Sequence, residues 1–105
     1  MQCSSLEEVR LNIDRIDTEI IKLIAERGIY VAQASKFKKN ETDVKASARV
    51  EAVIARVRSK AEEYGAEADL VEAIYREMIS RFVKMELQDF SKNENGRGVK
   101  FSPTA

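Results

Sequence analysis

The fold of this chain of 105 residues is decided by residues 5–38, which read SLEEVRLNIDRIDTEIIKLIAERGIYVAQASKFK. Ser5 and Glu8 have the spacing of a helix-capping box, in which a hydroxyl and a carboxylate bond to free backbone N–H groups of the first turn. Apolar residues then recur at steps of three and four, at Leu6, Val9, Ile13, Ile16, Ile20 and Leu23, and the pattern resumes after Arg27 at Tyr30, Ala34 and Phe37. This period is typical of an amphipathic α-helix, so we expect one long helix that ends near residue 39.

Two shorter helices are predicted after a polar loop at residues 40–45. The second is expected to begin near Ser47, with Gly65 as its C-terminal cap. The third is expected to begin with a capping box at Asp69 and to end near Phe90. The sequence therefore predicts an all-α domain at residues 5–90, with a short extension at 1–4 and a flexible tail at 91–105.

The predicted first helix is too long for the rest of its own domain to cover. A helix of about 34 residues spans roughly 50 Å, and the other two, of about 18 and 22 residues, are much shorter. An apolar stripe left uncovered over that length would be an exposed patch of a kind that soluble monomers avoid. Because isologous pairs are the commonest oligomers, we expect the first helices of two chains to pair in an intertwined homodimer.

The composition excludes several kinds of site and partner. Lys plus Arg and Asp plus Glu are 18 each, so no net charge attracts nucleic acid or a membrane surface. The chain has no His, and its one thiol, Cys3, can form neither an internal disulfide nor a metal site by itself. We therefore expect no bound metal. The sequence has no evident secretory signal or membrane span, so the cytoplasm is the expected location.

Arg27 is the most informative residue, because it occupies the apolar stripe in register with Ile13 and Ile20. A cation at a core position is often paired with a carboxylate, or extends to the rim of the core. Such a cation is also how proteins build a binding site for an anion. The pattern leaves both interpretations open, and Gly28 would let a ligand or a second backbone approach closely.

Four further residues are candidates for the same site. Lys38 lies 11 residues after Arg27, roughly 16 Å along a helix, so both long side chains could reach one small molecule. Arg10 lies 17 residues before Arg27, roughly 25 Å away, and could join that site only from a second subunit. Glu86, on the buried face of the third helix, either balances Arg27 or Lys38 or bonds to a ligand. Arg49 could equally be an ordinary surface cation.

Several segments carry a resemblance to a known family. They are LEEVR at residues 6–10, IDRID at 13–17, LIAER at 23–27 and KFK at 36–38, followed by Arg49 at the start of the second helix. Over about residues 5–90 the chain resembles the all-helical chorismate mutases. The resemblance implies a helical homodimer with two sites, which binds a small dianion and rearranges chorismate to prephenate without a cofactor.

The resemblance also implies a role for each candidate residue. Arg10 would come from the partner subunit and hold one substrate carboxylate, and Arg27 would hold the other. Lys38 and Glu86 would bond to the ether oxygen whose bond breaks, and Arg49 would be a further cation near the site. Such a site needs no nucleophile, metal or cofactor, because preorganised cations stabilise the negative charge that develops on the oxygen.

Four positions depart from the typical mutase pattern. Ala46 and Val50 stand where acidic residues are common, Phe82 replaces a small hydroxyl, and Glu86 replaces Gln. Val50 and Phe82 would line the substrate site, and Val50, like the Phe-Lys pair at 37–38, resembles the isochorismate pyruvate lyase branch of the fold. That branch converts isochorismate to salicylate and pyruvate. A carboxyl group donates to an ether oxygen only when it is protonated, so Glu86 fits either reaction in its acid form.

The resemblance favours chorismate mutase, the commonest activity of the family, with the lyase on isochorismate as the alternative. A regulatory or interaction module that has kept the fold and lost the activity is a further alternative. A generic coiled-coil adaptor would explain the stripe but not Arg27. The joint presence of Arg10, Arg27 and Lys38 favours an enzyme, because a scaffold needs no cation at a core position.

Overall fold

A computed structural model of the chain describes residues 2–38, 40, 45 and 47–94, the last six by their backbone. Its helices are α1 (Leu6–Ser35), α2 (Ser47–Tyr64) and α3 (Ala68–Glu94). No strand occurs in this part of the chain, so the predicted all-α class is confirmed. None of the helices in the described ranges is long and apolar enough to cross a membrane.

α1 begins at the predicted cap. The Ser5 hydroxyl accepts a hydrogen bond from the backbone N–H of Glu8 at 3.1 Å. The Glu8 carboxylate accepts from the backbone N–H and the hydroxyl of Ser4, not from Ser5 as a standard capping box would require. These hydrogen bonds favour the ionised carboxylate and lower the pKa of Glu8.

α1 ends at Ser35, so the prediction of a helix to residue 39 is wrong. The backbone N–H groups of Lys36, Phe37 and Lys38 each bond to the carbonyl three residues earlier. This is the tighter bonding of a 3₁₀-type turn, which often closes an α-helix. Phe37, assigned to the apolar stripe, is 83 % exposed, and the apolar period at this position does not mark a buried face. The turn takes Lys38 out of the helix and brings it to α3.

α2 and α3 pack side by side as an antiparallel pair. Gly65 ends α2 with φ 75°, a left-handed conformation that glycine adopts without strain, as the sequence predicts. The backbone N–H of Ala66 bonds to the Ala61 carbonyl at 2.8 Å, which completes the cap. The buried apolar residues lie on one face of α2, at Val53, Ile54, Val57 and Ala61.

α3 begins one residue before Asp69, so the predicted capping box is wrong. The Glu67 carboxylate caps the helix instead, because it accepts from the backbone N–H groups of Asp69 and Leu70 at 3.3 and 2.7 Å. Asp69 and Glu72 bond to Arg58 of α2 at 3.0 and 2.7 Å. These bonds raise the pKa of Arg58, Asp69 contributing most. The two acids tie α2 to α3 and do not cap α3.

Some predicted features lie at or beyond the limits of the described residues. α3 continues four residues beyond Phe90, to Glu94, and residues 95–105 of the predicted tail lie outside the described part. Most of the predicted loop at 40–45, and Ala46 after it, also lie outside it.

Most of α1 is uncovered within a single chain. From Leu6 to Glu26 every residue is exposed except Asn12, which is half-buried. Residues of the apolar stripe are 46–60 % exposed at Ile13, Ile16, Ile20 and Leu23. Gly28 is the buried residue of α1. The stripe that predicts pairing of two chains is therefore available for such pairing, and the homodimer stays a prediction.

Candidate active site

A cleft of about 370 Å³ lies between the last turns of α1, the first half of α2 and the second half of α3. Its walls include six of the seven residues proposed from the sequence, namely Arg27, Lys38, Arg49, Val50, Phe82 and Glu86. Arg10 is not among them, because it is exposed on the uncovered part of α1. The cleft is completed by Tyr30, Val31, Ala34, Lys45, Val53, Arg56, Ile79 and Val83.

The Arg27 guanidinium is half-buried and packs against aromatic rings. Its central carbon lies 5.7 Å from the ring centres of both Tyr75 and Phe82 on α3. A guanidinium at this distance from an aromatic face is stabilised by the ring quadrupole. Within the described part of the chain no carboxylate lies within 4.0 Å of Arg27, so the paired-core interpretation has no support in a single chain. Its N–H donors are left for a ligand.

Lys38 and Glu86 form the ion pair at one end of the cleft. The Lys38 ammonium lies 2.8 Å from a Glu86 carboxylate oxygen. The Glu86 side chain is only 4 % exposed and that of Lys38 is 24 % exposed. The sequence left open whether Glu86 balances Arg27 or Lys38, and the structure pairs it with Lys38. Removing one partner of so enclosed a pair would leave an uncompensated charge, which is costly.

The cleft carries an excess of positive charge. Five cations line it against the single carboxylate of Glu86, a formal excess of four, at Arg27, Lys38, Lys45, Arg49 and Arg56. Among the described residues no carboxylate pairs with Lys45, Arg49 or Arg56, whereas Arg58 and Arg76, outside the cleft, each pair with two. A concave surface lined by cations of one sign attracts and binds small anions.

The rest of the cleft wall is apolar. Val50 and Val53 of α2 line it together with Ile79, Phe82 and Val83 of α3. Val50 is half-buried, so the departure at this position puts a hydrocarbon group where an acid would offer hydrogen-bond acceptors. Phe82 replaces a small hydroxyl with a ring that supports Arg27. Two of the four departures from the mutase pattern therefore make the cleft more apolar.

Three lining residues with polar groups were missed from the sequence. Arg56 follows Arg49 by seven residues, two helical turns, and that spacing was a usable signal. Tyr30 was assigned to the apolar stripe, but it is exposed and lines the cleft. Lys45 belongs to the segment predicted as a loop, and no sequence pattern distinguishes it. No group of three or more Cys, Asp or Glu side chains in the described ranges is placed to hold a metal ion.

Comparison with known proteins identifies the family. The model of the chorismate mutase type II family matches residues 9–87, a segment that includes every residue lining the cleft. The chain is also 34 % identical over 86 residues to the isochorismate pyruvate lyase of Pseudomonas aeruginosa, which covers 82 % of this chain and 85 % of that protein. The chain therefore belongs to the chorismate mutase type II family.

Proposed function

We propose that the chain is an isochorismate pyruvate lyase that works as a homodimer without a cofactor. The observation that carries this choice is Val50 in the cleft wall, where the mutase pattern has an acid to hold the ring hydroxyl of chorismate. The identity of 34 % to a lyase over most of both chains supports the same choice. The lyase thus ranks ahead of chorismate mutase, which the resemblance alone favoured.

The reaction requires binding and electrostatic stabilisation from the protein. The ether C–O bond of isochorismate breaks, and a ring hydrogen moves to the methylene carbon of the enolpyruvyl group. The enolpyruvyl group is released as pyruvate, and the ring becomes that of the aromatic product salicylate. Every atom and electron of the products comes from isochorismate. The protein therefore has to hold the enolpyruvyl group over the ring and to stabilise negative charge on the departing oxygen.

The cations of the cleft suit these two tasks. Arg27 would bind one substrate carboxylate, since its planar fork matches a carboxylate and the rings of Tyr75 and Phe82 restrict its movement. Lys38 would donate to the ether oxygen, and its bond to Glu86 orients it. Arg49, exposed in the first turn of α2, would add a further contact with the substrate.

The second substrate carboxylate would be held by Arg10 of the partner subunit. In one chain Arg10 and Arg27 are 17 residues apart on one helix, roughly 25 Å, too far for one small ligand. The uncovered stripe of α1 supports the pairing, as does an adjoining groove of about 590 Å³ between α1 and α3. Mainly apolar side chains line that groove, including Ile24, Ala73, Ile74, Met78 and Met85.

Chorismate mutase is the second candidate, because the matching family model carries that name. The same cations would bind chorismate, which is also a dianion with an enolpyruvyl ether. The two activities differ in which ring hydroxyl the cleft has to accept. An assay with each substrate tests which of the two the cleft accepts.

The test is to supply purified protein with isochorismate and chorismate separately and to follow salicylate, pyruvate and prephenate. We expect salicylate and pyruvate in equal amounts from isochorismate, with a higher kcat/KM than for prephenate formation from chorismate. The opposite ratio would make the chain a mutase, and no turnover of either would make it a non-catalytic member of the family. Arg27→Ala, purified in the same way, controls for contaminating enzymes.

Glu86→Gln should match or exceed wild-type activity at neutral pH. Gln supplies an amide donor of nearly the same shape at every pH, while its carbonyl can still accept from Lys38. A carboxyl donates to the ether oxygen only when protonated, whereas the amide donates at every pH, so a donor role of Glu86 would show as a wild-type kcat/KM that rises toward low pH beside a flat profile for Glu86→Gln. The measurement is a kcat/KM profile from about pH 5 to 8.5 for both proteins. Full wild-type activity at pH 8 with an impaired variant would make Glu86 an ionised partner of Lys38 only.

A further inference from the structure

We propose that Arg76, which lies outside the cleft, is a positioning residue that holds the first turn of α2 and so sets Arg49 and Val50 against the substrate. The inference rests on the proposed function for what the cleft binds. Its structural part is supported by the contacts alone: the ion pair between Arg76 of α3 and Glu51 of α2 at the edge of the cleft, named the clasp.

Arg76 binds the Glu51 carboxylate through both terminal nitrogens of its guanidinium group. Nη1 and Nη2 donate to the two carboxylate oxygens of Glu51, each at 2.9 Å. The remaining Nε donates to Glu72 at 2.6 Å. A two-armed bond of this kind fixes orientation as well as distance, which a single charge contact does not. The bond to Arg76 is also the main cause that lowers the pKa of Glu51.

The clasp adjoins the wall of the cleft. Glu51 follows Val50 and lies two residues after Arg49. A shallow hollow of about 350 Å³ is lined by Arg76 and shares four lining residues with the cleft, at Lys45, Val50, Ile79 and Val83. Val50, Ile79 and Val83 therefore line both the substrate cleft and the hollow that Arg76 lines.

The first turn of α2 needs such a clasp because other forces oppose its position. The buried residues of α2 begin only at Val53, so packing holds this turn weakly. Arg49 lies at the positive end of the helix dipole, which disfavours a cation. It also shares the cleft with other cations, including Arg27 and Arg56, that repel it. A bound dianion would remove that repulsion, so the clasp matters most before substrate binds.

Arg76→Gln should therefore raise KM about three- to fivefold while kcat stays within about twofold of the wild-type value. The expected rise in KM is small because an exposed ion pair stabilises the position of a helix only weakly. Glu51→Gln should have the same effect, and the double variant should be no worse than either single variant. Amide hydrogen exchange at residues 51–54 of the free protein should accelerate by a similar factor in all three. The exchange measurement does not depend on which reaction the enzyme catalyses.

Arg58→Gln is the matched control. Arg58 also joins α2 to α3 through two carboxylates, one of them the Glu72 that Arg76 also bonds to, but it has no contact with Glu51, so its loss leaves the two-armed Arg76–Glu51 bond in place. This variant should lose stability and leave KM and the exchange of residues 51–54 unchanged. Unchanged exchange in Arg76→Gln, or additive effects of Arg76→Gln and Glu51→Gln, would overturn the inference. Failure of the proposed function would be seen separately, because the wild-type protein would then convert neither isochorismate nor chorismate.

Discussion

Arg27→Ala should reduce kcat/KM by about a thousandfold, the order of loss seen when a preorganised donor is removed from a site that stabilises developing negative charge. The substrate would lose its two-armed partner and the cleft its half-buried cation. Arg27→Lys should recover only part of the loss, because an ammonium keeps the charge without the planar fork. The measurement is kcat/KM for both variants on whichever substrate the wild type prefers.

The stability of Arg27→Ala separates a binding residue from a structural one. Its contacts with the rings of Tyr75 and Phe82 contribute about 0.5–1 kcal/mol each, and loss of a partly desolvated charge offsets some of that. Urea unfolding should therefore show a loss of about 1 kcal/mol or less. Lys60→Ala, which removes an exposed cation outside the cleft, is the control. A loss of about 3–5 kcal/mol would instead make Arg27 half of a structural ion pair across the dimer.

Arg27 could be found from the sequence because it breaks a pattern. A cation in an apolar stripe indicates either a buried pair or an anion site, and the second is favoured because no carboxylate in the described part of the chain pairs with Arg27. The same stripe misled at Phe37, where a 3₁₀-type turn had already ended α1. Periodicity describes a helix while it lasts, and it does not mark where the helix ends.

The network between α2 and α3 could not be predicted, because it depends on how two helices align. Asp69 has the spacing of a cap, but the helix begins one residue earlier, and Glu67 accepts from the first free backbone N–H groups, those of Asp69 and Leu70. Asp69 is then available to Arg58. The Arg76–Glu51 clasp joins residues 25 positions apart, and no local pattern indicates such a pair. Such side-chain contacts depend on the packing of the helices, which the sequence pattern determines only coarsely.

Mixing an Arg10→Ala protein with an Arg27→Ala protein should restore activity that neither has alone. Each variant homodimer lacks a required cation in both of its sites. In a heterodimer, the Arg27→Ala chain would donate its Arg10 to a cleft whose own Arg27 is intact, and that site would be complete. Random exchange makes half of the dimers mixed, each with one complete site of two, so about a quarter of wild-type activity should return.

A second mixture tests whether the recovery requires one subunit to donate Arg10 to the site of the other. Arg27 and Lys38 line the same cleft of one chain, so heterodimers of Arg27→Ala with Lys38→Ala contain no complete site and should stay inactive. Sedimentation of the wild type should give twice the chain mass of 11.9 kDa. A stable folded monomer would contradict the pairing of α1 helices. If heterodimers form without regaining activity, the prediction of a dimer would stand and the proposed role of Arg10 would be wrong. The two can be separated because the uncovered stripe and the donated cation are separate features of α1.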